Sequence, residues 1–258
     1  MGKVSKICGN AFLKKLYAKT NYKKLKDVKK LKAIVLSSGG VDSTTCVALA
    51  VHDLGKENVS SVSAYYGQKH KKELQCAEKI AKYYGIKHYE FDLSAIMQYS
   101  NCALLDNSTE KIQHKSYAEQ IKERGRVNTY VPFRNGLFLA VATSLAMSIN
   151  PDEETVIVIG AHADDSAGNA YADCSEPFIW NMNQAVEKGT YNKVKIVAPF
   201  VGKNKAEVVR VGLELKTPYE LTWSCYEGGE KPCGKCGTCI DRIKAFQKNG
   251  TTDPIMKE

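Results

Sequence analysis

The sequence predicts an α/β fold, with a doubly wound, mostly parallel sheet and a small cysteine-rich lobe near the C-terminus. Short apolar segments of strand length alternate with longer segments of helical periodicity, and the links between them are short. Four clustered cysteines follow the last of these segments. The alternation is typical of βαβ units, whose helices cover both faces of one sheet.

The predicted strands are rich in β-branched and aromatic residues, and they lie at residues 32–37, 59–66, 86–93, 155–161 and 194–200. The predicted helices have apolar residues every three or four positions, and they lie at 42–54, 69–84, 134–149, 176–187 and 203–215. Residues 100–130 are polar and lack periodicity, so we expect a long loop or flap there.

The composition is that of an ordinary globular protein. The 258 residues suit one domain with a small appendage, and 43% of them are hydrophobic. No apolar run reaches the roughly 18 residues that a membrane-spanning helix needs. The basic N-terminus lacks the apolar region and cleavage site of a signal peptide, so we expect a cytoplasmic protein without a membrane partner.

The net charge of +9 is concentrated in a basic N-terminal extension, residues 1–31. The first 32 residues contain eleven lysines and one acid, Asp27, which leaves a net charge of −1 on the remaining 226 residues. The extension has no arginine and few aromatic residues. A solvated helix or frayed end is therefore favoured over an arm that binds nucleic acid.

A glycine loop, Ser38-Gly-Gly-Val-Asp-Ser-Thr-Thr45, joins the first predicted strand to the first predicted helix. Its glycines allow a sharp turn that directs backbone N–H groups at an anion, and the helix N-terminus adds to the attraction. Open α/β sheets bind ligands at the carboxyl ends of their strands. The loop therefore predicts a phosphate site.

The loop is neither a Walker A loop, which needs a lysine, nor a G-x-G-x-x-G dinucleotide loop. It resembles the PP-loop of the ATP pyrophosphatases, which have a HUP-like (adenine nucleotide alpha hydrolase-like) fold and release pyrophosphate from ATP. The resemblance assigns these residues to the ATP site: Ser37, Ser38, Gly39, Gly40, Val41, Asp42, Ser43, Thr44, Thr45, Cys46, Val47 and Tyr65. Pyrophosphate release implies Mg²⁺, and Asp42 is either its ligand or the helix N-cap.

Four of the nine cysteines, Cys225, Cys233, Cys236 and Cys239, lie within fifteen residues. Four thiolates in a short loop predict a closed, tetrahedral, structural Zn²⁺ site. An Fe–S cluster and a redox dithiol are the alternatives. The other cysteines are scattered singly and are expected in the core, at Cys8, Cys46, Cys76, Cys102 and Cys174.

Six runs taken in order make the chain similar to the 7-cyano-7-deazaguanine synthase family (QueC) over roughly residues 32–247. Besides the glycine loop they are Tyr66-Gly-Gln-Lys-His70, Val131-Pro-Phe-Arg-Asn135, Tyr171-Ala-Asp-Cys174, Leu221-Thr-Trp-Ser-Cys-Tyr226 and Cys233-Gly-Lys-Cys-Gly-Thr-Cys239. The resemblance implies an ATP-dependent ligase that converts 7-carboxy-7-deazaguanine and ammonia to 7-cyano-7-deazaguanine, through an adenylated acid and an adenylated amide. It also implies a homodimer, and a product used as the queuosine or archaeosine precursor.

Residue roles follow from the same resemblance. Asp42 and Arg134 are the catalytic candidates, and Arg134 is expected to meet a substrate carboxylate or phosphate, or to form a structural ion pair. Asn135, Asp165 and Asp173 are assigned to the substrate, with the carboxylates accepting bonds from its guanine-like N–H edge. Many family members have Arg-Pro-Glu where this chain has Ser-Glu-Pro at residues 175–177, which affects how the substrate's carboxylate end is held.

Three other functions fit parts of the sequence. One is a tRNA-modifying PP-loop enzyme of the sulfurtransferase or lysidine-synthetase type, another is an ATP-sensing module without catalysis, and the third is a family variant that modifies a protein terminus. The expected organisation is an ATP-binding domain at residues 32–220, a zinc-knuckle lobe at 221–247 and a C-terminal tail at 248–258.

Overall fold

The computed structural model describes residues 31–125, 127–167 and 170–256. The predicted N-terminal extension lies outside them except for Leu31, and so does Cys8. The strands are β1 Lys32–Leu36, β2 Val59–Tyr65, β3 Lys87–Asp92, β4 Thr155–Val158 and β5 Val194–Val197. The α-helices are α1 Val41–Leu54, α2 Lys72–Tyr84, α3 Ser94–Met97, α4 Tyr117–Arg124, α5 Arg134–Ile149, α6 Ala163–Ser166, α7 Glu176–Gly189, α8 Lys205–Glu214 and α9 Gly237–Lys248.

The five strands form one parallel sheet in the order β3-β2-β1-β4-β5. Ile34 of β1 is paired with Ser60 on one side and with Ile157 on the other. The chain runs outward from β1 toward β3 and then returns to β4, so the strand order reverses between β1 and β4. In open α/β sheets this reversal opens a crevice beyond the carboxyl ends of the strands, where ligands bind.

Helices cover both faces of the sheet, so the predicted doubly wound α/β fold is confirmed. Ile34 and Ile157 face one hydrophobic cluster, which includes residues of α5 and α7. Ala33 and Val35 face the opposite cluster, which includes residues of α1, α2 and α8. Side chains alternate along a strand, so each buried strand supplies both cores.

The prediction of an irregular segment at residues 100–130 was wrong for α4. Ser116 caps this helix, and Glu119 returns a hydrogen bond to the Ser116 backbone, which completes a capping box. The Ser-x-x-Glu spacing is a helix-start signal in the sequence itself. Among the described helices, none combines the length and the apolar character needed to cross a bilayer.

The C-terminal segment packs against the sheet domain. The Arg242 side chain of α9 is fully buried and forms a two-point ion pair with Asp253, with Nε–Oδ2 and Nη2–Oδ1 distances of 2.6 and 2.9 Å. Arg242 also donates to the Tyr219 carbonyl, and Asn249 donates to the Ala206 carbonyl of α8. Residues in the predicted tail therefore attach the cysteine-rich lobe to α8.

Candidate active site

A cavity of about 230 Å³ lies at the carboxyl ends of β1, β2 and β4. Its end at the glycine loop, called the phosphate region after the predicted phosphate site, contains Ser38, Gly40, Asp42, Ser43, His162 and Lys205. Its apolar wall contains Leu36, Val62, Ala64, Phe91, Leu93 and Ile159. Its aromatic end contains Tyr66, Glu73, Tyr117, Arg134, Phe138, Tyr171 and Tyr226.

The glycine loop turns sharply against helix α2. Gly39 has φ = +79°, and a Cβ atom there would lie 2.2 Å from the Glu73 carbonyl oxygen and 2.7 Å from the Ala77 nitrogen. Only glycine adopts this backbone conformation without strain and leaves room for α2. The next residue, Gly40, is the N-cap of α1, so Asp42 lies in the first turn and is not the cap.

The structure brings part of the predicted ATP segment to the cavity and places the rest behind it. Ser37, Ser38, Gly40, Asp42 and Ser43 line the cavity. The Thr44 and Thr45 hydroxyls donate to helix carbonyls, and the core takes the side chains of Val41, Cys46 and Val47. The second group therefore shapes the loop from behind.

Four ionisable groups meet in and beside the phosphate region. The Lys205 Nζ lies 2.7 Å from Asp42 Oδ2 and 3.5 Å from His162 Nε2. His162 Nε2 lies 3.6 Å from Asp42 Oδ2 and 3.4 Å from Asp165 Oδ2. Asp165 thus lines the cavity beside the histidine, in the phosphate region, and its predicted role in binding substrate stays a prediction.

Charge pairing sets the ionisation of this cluster. Burial would raise the pKa of Asp42, but the nearby Lys205 and His162 hold it well below its ordinary value. Burial likewise opposes the charge on Lys205, and Asp42 outweighs it and raises the Lys205 pKa. Burial raises the pKa of Asp165. The Asp42–Lys205 pair is therefore ionised at neutral pH.

The sequence analysis did not identify Lys205 or His162 as site residues. Lys205 is the first residue of α8, after the Asn204 cap, and its charge lies at the positive end of the helix dipole. A lysine in a first turn is electrostatically unfavourable, and that position was the signal in the sequence. The structure shows that Asp42, from a loop 163 residues earlier, compensates for it.

Arg134 and Tyr66 form the centre of the aromatic end. The Arg134 Nη1 donates to the Tyr66 hydroxyl at 2.9 Å, and its guanidinium carbon lies 5.2 Å from the Tyr66 ring centroid. Burial raises the pKa of Tyr66 to about 12, so its hydroxyl stays protonated. The Tyr117 and Tyr226 hydroxyls lie 3.0 Å apart.

Asn135 lines the cavity and is held by the Ala172–Cys174 turn. Its backbone nitrogen donates to Asp173 Oδ2 at 2.9 Å, and its amide donates to the Asp173 carbonyl oxygen and to Cys174 Sγ. Asp173 is buried but does not line the cavity. Its carboxylate therefore supports the first turn of α5, which carries Arg134 and Asn135.

Two further sequence features have clear positions. The Lys71 Nζ lies 4.7 Å from the centroid of the Tyr65 ring. Tyr65 does not line the cavity, whereas the neighbouring Ala64 and Tyr66 do. Ser175, at the departure from the family pattern, is the N-cap of α7 and accepts a hydrogen bond from the Phe178 nitrogen. A serine there stabilises a helix start.

The cysteine cluster lies beside the glycine loop. The sulfur atoms of Cys225, Cys233, Cys236 and Cys239 all lie within 4.8 Å of one another. The backbone nitrogens of Cys233 and Cys236 donate to sulfur, at 3.3 Å each. Four convergent sulfurs with N–H donors fit one metal ion, because tetrahedral Zn–S bonds of about 2.3 Å place thiolates roughly 3.8 Å apart.

A second possible cation ligand lies in the phosphate region. Asp42 Oδ1 is buried and has no hydrogen-bond partner among the described residues. A buried carboxylate oxygen without a partner is costly, and a hard cation accompanying phosphates would satisfy it. The position of Asp42 thus fits the Mg²⁺ that ATP carries.

Comparison with known proteins gives concordant matches. The family model described as "Queuosine biosynthesis protein QueC" matches residues 32–250 of the chain. A 7-cyano-7-deazaguanine synthase from Thermoplasma acidophilum is 42% identical over 233 residues, covering 88% of this chain and 92% of its own length. One from Archaeoglobus fulgidus is 38% identical over 229 residues, covering 88% and 91%.

Among solved structures, the U34-tRNA thiolase NcsA from Methanococcus maripaludis, with its [4Fe–4S] cluster, overlaps 92% of this chain and 73% of its own. The TM-score is 0.45 at 16% identity, which is too low to indicate shared chemistry. The sequence matches, in contrast, span the glycine loop, the cavity and the four cysteines. The chain therefore belongs to the QueC family of queuosine biosynthesis proteins.

Proposed function

We propose that the protein converts 7-carboxy-7-deazaguanine and ammonia to 7-cyano-7-deazaguanine, at the expense of two ATP molecules split to AMP and pyrophosphate. The observation that carries the proposal is that the glycine loop, the Asp42–Lys205 pair and Arg134 line one cavity. The phosphate region supplies the positive groups that a departing pyrophosphate needs. The relatives' name supplies the product, 7-cyano-7-deazaguanine.

In the first half-reaction, an oxygen of the substrate carboxylate attacks the α-phosphorus of ATP and pyrophosphate leaves. The Ser38 and Ser43 hydroxyls, the N-terminus of α1 and the Lys205 ammonium face the region where the negative charge of the leaving group accumulates. Mg²⁺, held at Asp42, would neutralise phosphate oxygens. Pairing with Asp42 keeps Lys205 charged for this task.

Ammonia then attacks the acyl carbon, AMP leaves, and the product is the amide. The amide oxygen attacks a second ATP, and loss of AMP with the amide protons leaves the nitrile. Both activations join a carbonyl-type oxygen to an α-phosphorus, so one cavity serves both. Arg134 meets the carboxylate or the developing adenylate, because its guanidinium faces the cavity and donates to Tyr66 through only one nitrogen.

The apolar wall suits the adenine ring, since the strand ends offer an apolar surface without charge. Asn135 and Asp165 remain assigned to substrate and nucleotide contacts in the cavity. Asp173 supports Asn135 through the first turn of α5. The match over residues 32–250 favours this reaction over a tRNA-modifying PP-loop activity.

For the cysteine cluster we propose one structural Zn²⁺ bound by all four thiolates. A [4Fe–4S] cube holds each thiolate on a different iron, farther apart than the spacing found here. The ion would stabilise the lobe that contributes Ser224, Tyr226, Thr238 and Asp241 to the cavity. We also propose that the protein is a homodimer and is located in the cytoplasm. Light scattering in solution tests the dimer.

The decisive experiment incubates the full chain with ATP, Mg²⁺, ammonium and 7-carboxy-7-deazaguanine, and follows nucleotides and heterocycles by mass spectrometry. The expected products are AMP, pyrophosphate, the amide at early times and the nitrile later, with two AMP per nitrile. Formation of ADP and phosphate, or AMP formation without conversion of the heterocycle, would contradict the proposal.

A further inference from the structure

Glu73 is a carboxylate of the cavity that the reaction described above does not use. It lies in the first turn of α2 and lines the aromatic end. Within residues 31–125, 127–167 and 170–256, no cation lies within 4.0 Å of its carboxylate and no hydrogen-bond donor reaches it. A polar group that faces a cavity without a partner is available to a ligand.

The other cavity carboxylates are already engaged in or near the phosphate region. Asp42 accepts from Lys205, and Asp165 faces His162 at 3.4 Å. Asp241, on α9, is under the influence of Lys205 and Lys244. Glu73 differs from all three because it lines the aromatic end, and Arg134, the cation whose charge acts on it, forms no ion pair with it within 4.0 Å.

The backbone fixes the place of Glu73. Its carbonyl oxygen lies 2.2 Å from the position that a Cβ of Gly39 would take, so the first turn of α2 is packed directly on the glycine loop. Its side chain lines the same cavity as Tyr66, whose pKa the Glu73 charge acts to raise and whose ring centroid lies 5.9 Å from that of Phe138. Burial raises the pKa of Glu73 to about 7, which is the expected consequence of a partly desolvated carboxylate that lacks a partner.

The aromatic end is suited to a planar heterocycle, because aromatic faces stack on such rings. A carboxylate accepts two hydrogen bonds but donates none when ionised. It matches a guanine-like edge, where a ring N–H and an amino group lie side by side. It does not match adenine, whose edge pairs one donor with one acceptor and is recognised by an amide.

We propose that Glu73 is a specificity-determining residue that accepts the ring N–H and the 2-amino group of the 7-deazaguanine substrate. The proposal rests on the proposed function. It assigns the guanine-like edge to Glu73, because the Asp173 carboxylate already accepts a hydrogen bond from the Asn135 backbone nitrogen. Arg134, unpaired with Glu73 across the aromatic end, is then free for the acidic substituent. The two opposite charges orient the heterocycle in one direction.

The test uses Glu73→Gln in the full chain, with Glu78→Gln as the matched control on the exposed side of the same helix. Steady-state kinetics compare 7-carboxy-7-deazaguanine with its analogue lacking the 2-amino group. We expect Glu73→Gln to raise KM for the heterocycle roughly 10- to 100-fold and to change KM for ATP less than about twofold. The wild type should discriminate against the analogue, and the variant should lose most of that discrimination.

Binding of 7-deazaguanine without ATP, followed by calorimetry, separates this proposal from the proposed function. Tighter wild-type binding of 7-deazaguanine than of 7-deazahypoxanthine, reduced in the variant, supports Glu73 even where turnover is absent. Equal wild-type affinity for the two rings overturns the proposal and needs no variant to fold. An effect of Glu73→Gln on KM for ammonium alone also overturns it, because the carboxylate would then serve the nucleophile.

Discussion

The Lys205 ammonium lies 2.7 Å from the Asp42 carboxylate, so the first turn of α8 is joined to the first turn of α1 across the crevice between β1 and β4. The glycine loop has no lysine of its own, unlike a Walker A loop. Tertiary structure supplies that charge from a helix 163 residues later. The pair therefore holds together two helix starts that both line the cavity.

Replacing Lys205 by methionine should reduce kcat/KM for ATP by roughly 10- to 150-fold, because a charge-assisted hydrogen bond contributes about 1.5–3 kcal/mol. Initial-rate measurements of AMP formation at varied ATP check this. Lys203→Met is the control, since Lys203 is half-exposed and only pairs with Glu207 at 3.6 Å. Equal effects of the two substitutions would contradict a role at the phosphates.

Gly39→Ala should lower the free energy of unfolding by about 2–4 kcal/mol, because positive φ costs about 1–3 kcal/mol and the clash with α2 adds to it. Chemical denaturation checks the value. Gly189→Ala is the control, since a Cβ there meets nothing within 4 Å. A Gly39→Ala protein of ordinary stability would mean that the loop relaxes without moving α2.

The purified protein should retain one zinc per chain after dialysis, with four sulfurs in the first shell by X-ray absorption. Cys236→Ser should release the metal and lower stability first, with activity lost as a consequence. Cys102→Ala, a buried cysteine outside the cluster, should keep the metal. Iron in the preparation, or nitrogen or oxygen ligands in the first shell, would contradict a four-thiolate zinc site.

Asp253→Ala should lower the free energy of unfolding by about 3–5 kcal/mol, because it leaves the fully buried Arg242 guanidinium without its carboxylate. Thermal or urea unfolding measures the loss. The exposed pair Lys115–Glu123 provides the comparison, and Glu123→Ala should cost less than about 1 kcal/mol. A small effect at Asp253 would show that water or the Tyr219 carbonyl satisfies Arg242.

Burial lowers the pKa of Lys195, on β5, from its ordinary value of 10.5 to about 8. Between these values the unfolded chain binds a proton that the folded protein does not, so this lysine costs stability as the pH falls from about 10.5 to about 8. The free energy of unfolding of Lys195→Met should therefore exceed that of the wild type most below about pH 8. The difference should vanish near pH 10.5. Lys188→Met, exposed on α7, should show no such trend in urea unfolding.

Local patterns in the sequence predicted the strands, most of the long helices and the candidate ligand classes. Apolar runs predicted the five strands, and the spacing of glycines and cysteines predicted a phosphate loop and a metal site, because each depends on neighbours within a few residues. Alternation of strands and helices was enough to predict a doubly wound sheet. The Ser116-x-x-Glu119 capping box shows that α4 was also readable.

Only the tertiary structure decided which residues meet. Lys205 reaches Asp42, Glu73 enters the cavity behind Gly39, and Asp173 turns away from the cavity to the backbone of Asn135. These partners are separated by 34 to 163 residues, and no periodicity in the sequence specifies which side chains converge at the crevice between β1 and β4. The physical reason is that pairing depends on strand order and helix packing, which are long-range properties of the folded chain.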